Sequence, residues 1–219
     1  VDRGLGELLQ CLRGDLEEGA AVGLPEPHRA GGSDMTPARR AEFESGRAAA
    51  AHALRQAGCA GNCAVASDAR GVPLFPPGFV GSIAHKHGRA IAAIAKASST
   101  SGLGVDLEFD EGLHDAALAE EVVTNSEAPQ LAVLRAEHPS LVSTATLVLA
   151  AKEALFKAVF PITRTDFTFG DAEVAFDGKT FRAVHFPGQE VIEVHGTYEV
   201  DARWIVVAAV AAHRVPAPV

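Results

Sequence analysis

Polar and apolar residues alternate over Gly102–Phe109: Val105, Leu107 and Phe109 take one side, while Asp106 and Glu108, with Asp110 just beyond, take the other. A period of two predicts a strand with one apolar and one carboxylate-bearing face. Phe79–Ala84 reads as a shorter strand that ends at His85, and Arg89–Ala97 is apolar enough for a buried one. Three short strands in succession predict an antiparallel sheet.

Helical spacing governs two other stretches. Thr36-Pro37 offers an N-cap residue followed by proline at the first helical position, and the pattern runs to Gln56 or Ala57, before Gly58. Phe43, Ala48, Ala51 and Leu54 are its apolar residues; Arg39, Arg40, Arg47 and Arg55 are its cations. Ser140–Phe160 predicts a longer, mostly apolar helix stopped by Phe160-Pro161. Lys152, Glu153 and Lys157 interrupt its apolar face, and Glu153 and Lys157, four apart, lie one turn from each other.

The remaining pattern is weaker. Residues 5–12 suggest a short helix ahead of an acidic loop containing proline and glycine. Leu113–Val123 and Ser126–Glu137 read as helices in an acidic stretch broken by Pro139. Residues 58–80 read as loop and extended chain, dense in proline and glycine around Arg70. Strands are expected at 166–169, 172–176, 180–186, 191–199 and 204–211, with Asp177-Gly178 as a hairpin turn. The order is helix then antiparallel strands, twice, which predicts an α+β protein. The expected division is 1–105 and 106–219, with a site between the halves, although no internal sequence repeat supports a duplication.

The 219 residues are 47% apolar, enough for a sizeable core, and carry a formal charge of −9. That balance argues against nucleic acid bound by general electrostatics but leaves room for a local phosphate site. Cys11, Cys59 and Cys63 form no disulfide framework and lack zinc-site spacing, which fits a reduced, cytoplasmic setting. No apolar run reaches membrane-spanning length, and the first residues carry no signal-peptide pattern.

Three carboxylates, Asp106, Glu108 and Glu153, drawn from two distant segments, suit a hard divalent cation such as Mg²⁺. The arginines of the 36–57 helix suit a phosphate, for which the planar guanidinium fork is fitted. Each feature also has a bland reading: a solvated basic helix face, a polar strand face, a surface Glu–Lys pair, a loop histidine at His85. Their joint occurrence favours a site.

Taken together, these residues resemble the 4′-phosphopantetheinyl transferases, most of all the monomeric Sfp-type enzymes of the enterobactin-synthesis branch. The resemblance rests on five stretches in order: Arg39-Arg40-Ala41-Glu42-Phe43 with Arg47, Arg70-Gly71-Val72-Pro73-Leu74-Phe75-Pro76, Gly81-Ser82-Ile83-Ala84-His85, Gly104-Val105-Asp106-Leu107-Glu108, and Lys152-Glu153 with Lys157. It departs from the family pattern at Phe75, where tryptophan is usual, at Ala84, where a hydroxyl residue is usual, and at Leu149-Ala150, where an aromatic–serine pair is usual. The first 35 residues and the last 50 match only loosely.

The resemblance implies two pseudo-symmetric halves, each with a helix packed on a small, mainly antiparallel sheet. It implies transfer of phosphopantetheine from coenzyme A to a serine of an acyl, peptidyl or polyketide carrier protein, in secondary metabolism, by a monomer that uses Mg²⁺ or Mn²⁺. Asp106, Glu108 and Glu153 would hold the metal, with Glu153 as base. Lys157 would stabilise the leaving phosphate, and His85 would donate to the pyrophosphate. Arg39 or Arg40, with Arg47, would hold the 3′-phosphate, and Arg70, Ser82 and Lys152 would complete the coenzyme A site. Two rivals stay open: a Mg²⁺-dependent phosphoryl or nucleotidyl transferase with another substrate, and a non-catalytic module that binds coenzyme A or a carrier. No nucleic-acid or membrane partner is expected.

Overall fold

The computed structural model describes residues 21–23, 36–113, 116–187 and 192–213. The helix expected at 5–12 and Cys11 lie outside these residues. In chain order the elements are β1 (Ala21–Gly23), α1 (Pro37–Gln56), β2 (Ala66–Ser67), β3 (Pro73–Leu74), β4 (Phe79–Lys86), β5 (Arg89–Lys96) and β6 (Gly102–Phe109). The second half adds α2 (Ala116–Val122), α3 (Gln130–Glu137), α4 (Thr144–Thr163), β7 (Glu173–Asp177), β8 (Thr180–His185), β9 (Ile192–Asp201) and β10 (Trp204–His213).

The strands form a three-stranded sheet in the order β1-β5-β4, a five-stranded sheet in the order β6-β10-β9-β8-β7, and a β2-β3 pair. Every pairing is antiparallel. The protein is thus α+β, with α1 on the smaller sheet and α4 on the larger. The expected division at 105/106 passes through β6, which pairs with β10 over its whole length.

Strand alternation builds the layers. Leu103, Val105 and Leu107 of β6 and Val206 and Ala208 of β10 meet Ala84, Ile91, Ala93 and Ala95 of the smaller sheet in a shared core. The opposite face of β10 (Ile205, Val207, Ala209, Ala211) packs with Leu147, Ala151, Ala154, Leu155 and Ala158 of α4. On β6 that opposite face holds Gly102, Gly104, Asp106 and Glu108. The glycines are required there: a Cβ on Gly104 would lie 1.9 Å from the Ala154 carbonyl oxygen, and one on Gly102 would lie 2.2 Å from that of Ala158. Helix and strand backbones touch, and this brings the carboxylates of β6 under the polar stripe of α4.

The structure corrects three boundaries. Residues 140–143 are not helical; α4 starts at Thr144, because the backbone N–H groups of Val142 and Ser143 bond to the Asp110 carboxylate instead. Pro161 does not stop α4, which continues to Thr163 and ends on Arg164 in the left-handed conformation (φ 56°). A proline this close to the C-terminal end removes one late intrahelical bond and leaves the earlier turns intact. Residues 166–169 are not a strand. A 3₁₀ turn at Phe169–Asp171 follows, fixed by a reciprocal cap between Thr168 and Asp171. Among the described residues, no helix is long and apolar enough to cross a membrane.

Candidate active site

A cleft of about 1270 Å³ opens between α1, the chain from Ser67 to Ser82, and the C-terminal part of α4. α1 contributes a stripe at helical spacing, Arg39, Glu42, Phe43, Gly46 and Arg47. The stripe exists because Ala49, Ala50, Ala53 and Leu54 are buried in the core beside β5, which fixes the helix rotation. Arg39 faces the cleft; Arg40, one position round, is not part of its lining.

The Arg47 guanidinium stacks 4.5 Å over the Phe43 ring and donates to Ser67 Oγ at 2.5 Å. Its Nε is buried with no hydrogen-bond partner among the described residues. Burial pushes the Arg47 pKa down. Arg70 crosses from the β2–β3 turn to Asp166, 2.6 Å and 2.7 Å from its two oxygens, and lies 4.5 Å over the Phe160 ring. The neighbouring pair, Arg164 to Asp68 at 2.7 Å, runs the other way. Ser82 is buried at the base of the cleft on β4. His85, at the exposed end of β4, has Nδ1 3.8 Å from Glu42 Oε2. Phe75 also lines the cleft.

On the α4 side Lys157 lines the cleft and donates to Asp106 Oδ1 at 2.6 Å, while Glu153 lines a neighbouring cavity of about 250 Å³ instead. The other oxygen, Asp106 Oδ2, is buried with no hydrogen-bond partner among the described residues. Lys86 pairs with Glu108 at 2.5 Å. Burial pushes the Glu153 carboxyl up; Lys157 opposes this, while Asp106 and Glu108 add to it. Glu108 is likewise raised by burial, against the opposing bond from Lys86. The three carboxylates therefore share one electrostatic neighbourhood. Among the described residues, no group of three or more His, Cys, Asp or Glu lies close enough to grip an ion as it stands. Two lysines hold two of the carboxylates instead. A buried carboxylate oxygen without a partner, beside two more hard oxygen donors, fits a divalent cation.

Lys152 does not join this assembly, which revises the expectation that it contacts coenzyme A. Its side chain is 1% exposed, and Nζ donates to Glu127 Oε2 at 2.8 Å, the Val122 carbonyl at 2.7 Å and the Phe169 carbonyl at 2.8 Å. The residue sits one step round α4 from Glu153, which turns it into the core. Sequence reasoning also missed four side chains: Phe156, Phe160 and Asp166 line the cleft, and Lys86 holds Glu108. Only Lys86 had a signal, since it immediately follows His85 on the strand.

Two family models match this chain. Residues 28–95 match the family model for the 4′-phosphopantetheinyl transferase N-terminal domain, and residues 102–209 match that for the 4′-phosphopantetheinyl transferase superfamily. The 4′-phosphopantetheinyl transferase Svp of Streptomyces mobaraensis is 42% identical over 108 residues, which is 49% of this chain and 43% of that protein. The matched stretch thus spans less than half of Svp. The 4′-phosphopantetheinyl transferase Npt of Nocardia iowensis is 30% identical over 178 residues, covering 77% of this chain and 78% of that protein. Among solved structures, the holo-ACP-synthase from Plasmodium yoelii aligns with 51% of this chain and 94% of its own at 16% identity and a TM-score of 0.39. With both halves matched by the family's models and most of Npt covered, the chain belongs to the 4′-phosphopantetheinyl transferase superfamily.

Proposed function

We propose that this chain moves the 4′-phosphopantetheine arm of coenzyme A onto a serine of an acyl, peptidyl or polyketide carrier protein and releases adenosine 3′,5′-bisphosphate. The observation that carries the reading is one cleft lined by Arg39, Arg47 and Arg70 and also by Lys157, which is bonded to Asp106 of the carboxylate cluster. A long, polyanionic substrate with a reacting pyrophosphate needs both sets of groups at once.

Arg39 and Arg47 hold the 3′-phosphate; the guanidinium fork binds such an oxyanion through paired, charge-assisted hydrogen bonds. Arg70, Ser82 and His85, which line the same cleft, would flank the stretch between that phosphate and the pyrophosphate. Asp106, Glu108 and Glu153 would hold Mg²⁺, which would supply Lewis-acid stabilisation of the pyrophosphate charge. The carrier serine oxygen forms a bond to the β-phosphorus while the bond from that phosphorus to the bridging oxygen breaks. The serine proton passes to Glu153, whose raised pKa suits it to receive one. Lys157 stands one turn along α4 to neutralise the departing phosphate oxygen. The two halves of the chain would thus share the site: residues before 105 bind the nucleotide and residues from 106 supply the chemistry.

The test is the intact mass of an apo carrier protein incubated with this chain, coenzyme A and Mg²⁺, beside a control without metal. A metal-dependent gain of one phosphopantetheine is expected. No gain across peptidyl, polyketide and fatty-acid carriers, with coenzyme A still bound, would overturn the transferase reading in favour of a binding module.

A further inference from the structure

Asp110 is fully buried at the end of β6, two positions past Glu108 and outside the residues assigned to substrate or metal. Its carboxylate accepts from the backbone N–H of Val142, from that of Ser143 at 3.0 Å and 3.3 Å, from Thr146 Oγ1 at 2.8 Å and from the Gly112 N–H at 3.0 Å. Its own backbone is bonded on both sides: its N–H donates to the Arg203 carbonyl at 2.7 Å, and its carbonyl accepts from Arg203 Nε at 2.6 Å. The N-cap position of α4 is Ser143, whose side chain makes no cap bond. Asp110 therefore takes over the cap from another element, with its charge at the favourable end of the helix dipole.

The consequence is geometric. β6 and α4 run antiparallel: Asp110 meets Thr146 at one end, and Asp106 meets Lys157 at the other. Thr146, Glu153 and Lys157 are separated by seven and four residues, so they fall in one stripe of α4. Asp106, Glu108 and Asp110 fall on one face of β6. The register of Glu153 against Asp106 and Glu108 is thus pinned by the Asp110 cap on one side and by the Gly102/Gly104 backbone contact on the other.

We infer that Asp110 is a positioning residue for the reaction, holding α4 in the register that faces Glu153 and Lys157 toward Asp106 and Glu108. This rests on the transferase reading above. A cap with only local structural value would fray the first turn of α4 when removed and leave the rest unchanged.

The experiment compares Asp110→Ala, the milder Asp110→Asn and Thr146→Val with a control destabilised in a separate core cluster, Val65→Ala beside α1. Amide hydrogen exchange along α4 and carrier-modification kinetics are both read. In Asp110→Ala, exchange at residues 153–157 should rise about tenfold or more over that in the control. kcat should fall about tenfold or more, with the KM for coenzyme A within about twofold, since the nucleotide end of the cleft is built on α1. Asp110→Asn and Thr146→Val should be intermediate in both. Faster exchange confined to residues 142–146, or a kcat loss no larger than that of Val65→Ala, would overturn the inference. If the wild type transfers nothing, the functional reading fails, and the exchange profile alone decides whether Asp110 sets the register.

Discussion

Replacing Lys152 by methionine keeps most of the side-chain volume and removes the charge. Lys152 and Glu127 are 1% and 2% exposed, and every polar atom of the pair is engaged. Besides the lysine, Glu127 accepts from the Val174 N–H at 2.8 Å, the Thr124 N–H at 2.9 Å and Thr124 Oγ1 at 3.1 Å. The pair thus ties α4 to the ends of α2 and β7 and to the 3₁₀ turn. Lys152→Met leaves the Glu127 carboxylate buried and uncompensated, which costs about 3–5 kcal/mol. Two carbonyl acceptors, of Val122 and Phe169, lose their donor as well. A domain of this size is stable by only about 5–15 kcal/mol, so the loss is a large fraction. Glu127→Gln/Lys152→Met removes both charges and keeps one acceptor for the Val174 N–H. It should cost only about 1–3 kcal/mol, less than Lys152→Met alone. Urea unfolding of wild type, both single variants and the double variant measures all four corners. A Lys152→Met loss below about 1 kcal/mol, or additive single losses, would refute the buried-pair argument. The KM for coenzyme A of folded Lys152→Met should equal that of wild type; a large rise would restore Lys152 to the substrate site.

Three further outcomes are expected. Arg47→Ala should raise the KM for coenzyme A about 10- to 100-fold and that for 3′-dephospho-coenzyme A much less, as loss of a charge-assisted bond to one phosphate requires; steady-state kinetics with both substrates would tell. Asp106→Ala should abolish transfer and keep the fold, while its metal-free affinity for coenzyme A by calorimetry should not fall, because Lys157 is released toward the phosphates. Glu153→Gln should be inactive yet melt higher than metal-free wild type at pH 8. The sign follows from the raised Glu153 pKa: the wild type holds that proton more tightly when folded, so this contribution to stability is present at acid pH and lost as pH rises through the folded value. The difference in Tm should shrink as pH falls below the ordinary glutamate range, and a difference independent of pH would contradict it.

How much the sequence disclosed depended on whether the cause was local. The face of β6 was legible because a period of two leaves one arrangement for Asp106 and Glu108 once Val105 and Leu107 enter the core. α1 was legible from Thr36, Pro37 and the arginine stripe, but its rotation, which brings Arg39 to the cleft in place of Arg40, was not. That rotation depends on how Ala49, Ala53 and Leu54 meet β5. Lys152 looked like a neighbour of Glu153 in function as well as in sequence; its partner Glu127 lies 25 residues upstream, and nothing in the local pattern announces it. The helix start was misplaced for the same reason. Residues 140–143 contain no glycine or proline to mark a boundary, and Asp110, more than 30 positions earlier, claims the backbone donors of Val142 and Ser143. The roles given to the cleft residues came from family resemblance; spacing alone allowed them without requiring them.

Under the proposed function, the ion pairs in and beside the cleft bear on how metal and phosphate ester would arrive. Lys157 rests on Asp106, Lys86 on Glu108 and Arg70 on Asp166. A divalent cation entering by itself would displace lysines and strand their charge. A phosphate ester entering by itself would compete with carboxylates for the same cations. Arriving together, the two can exchange partners: carboxylates turn to the metal, and ammonium and guanidinium groups turn to the phosphates. Each ligand then tightens the other by the same factor, as linkage demands. The resting chain would be a poor sink for stray Mg²⁺ or for stray nucleotide and a good one for the pair.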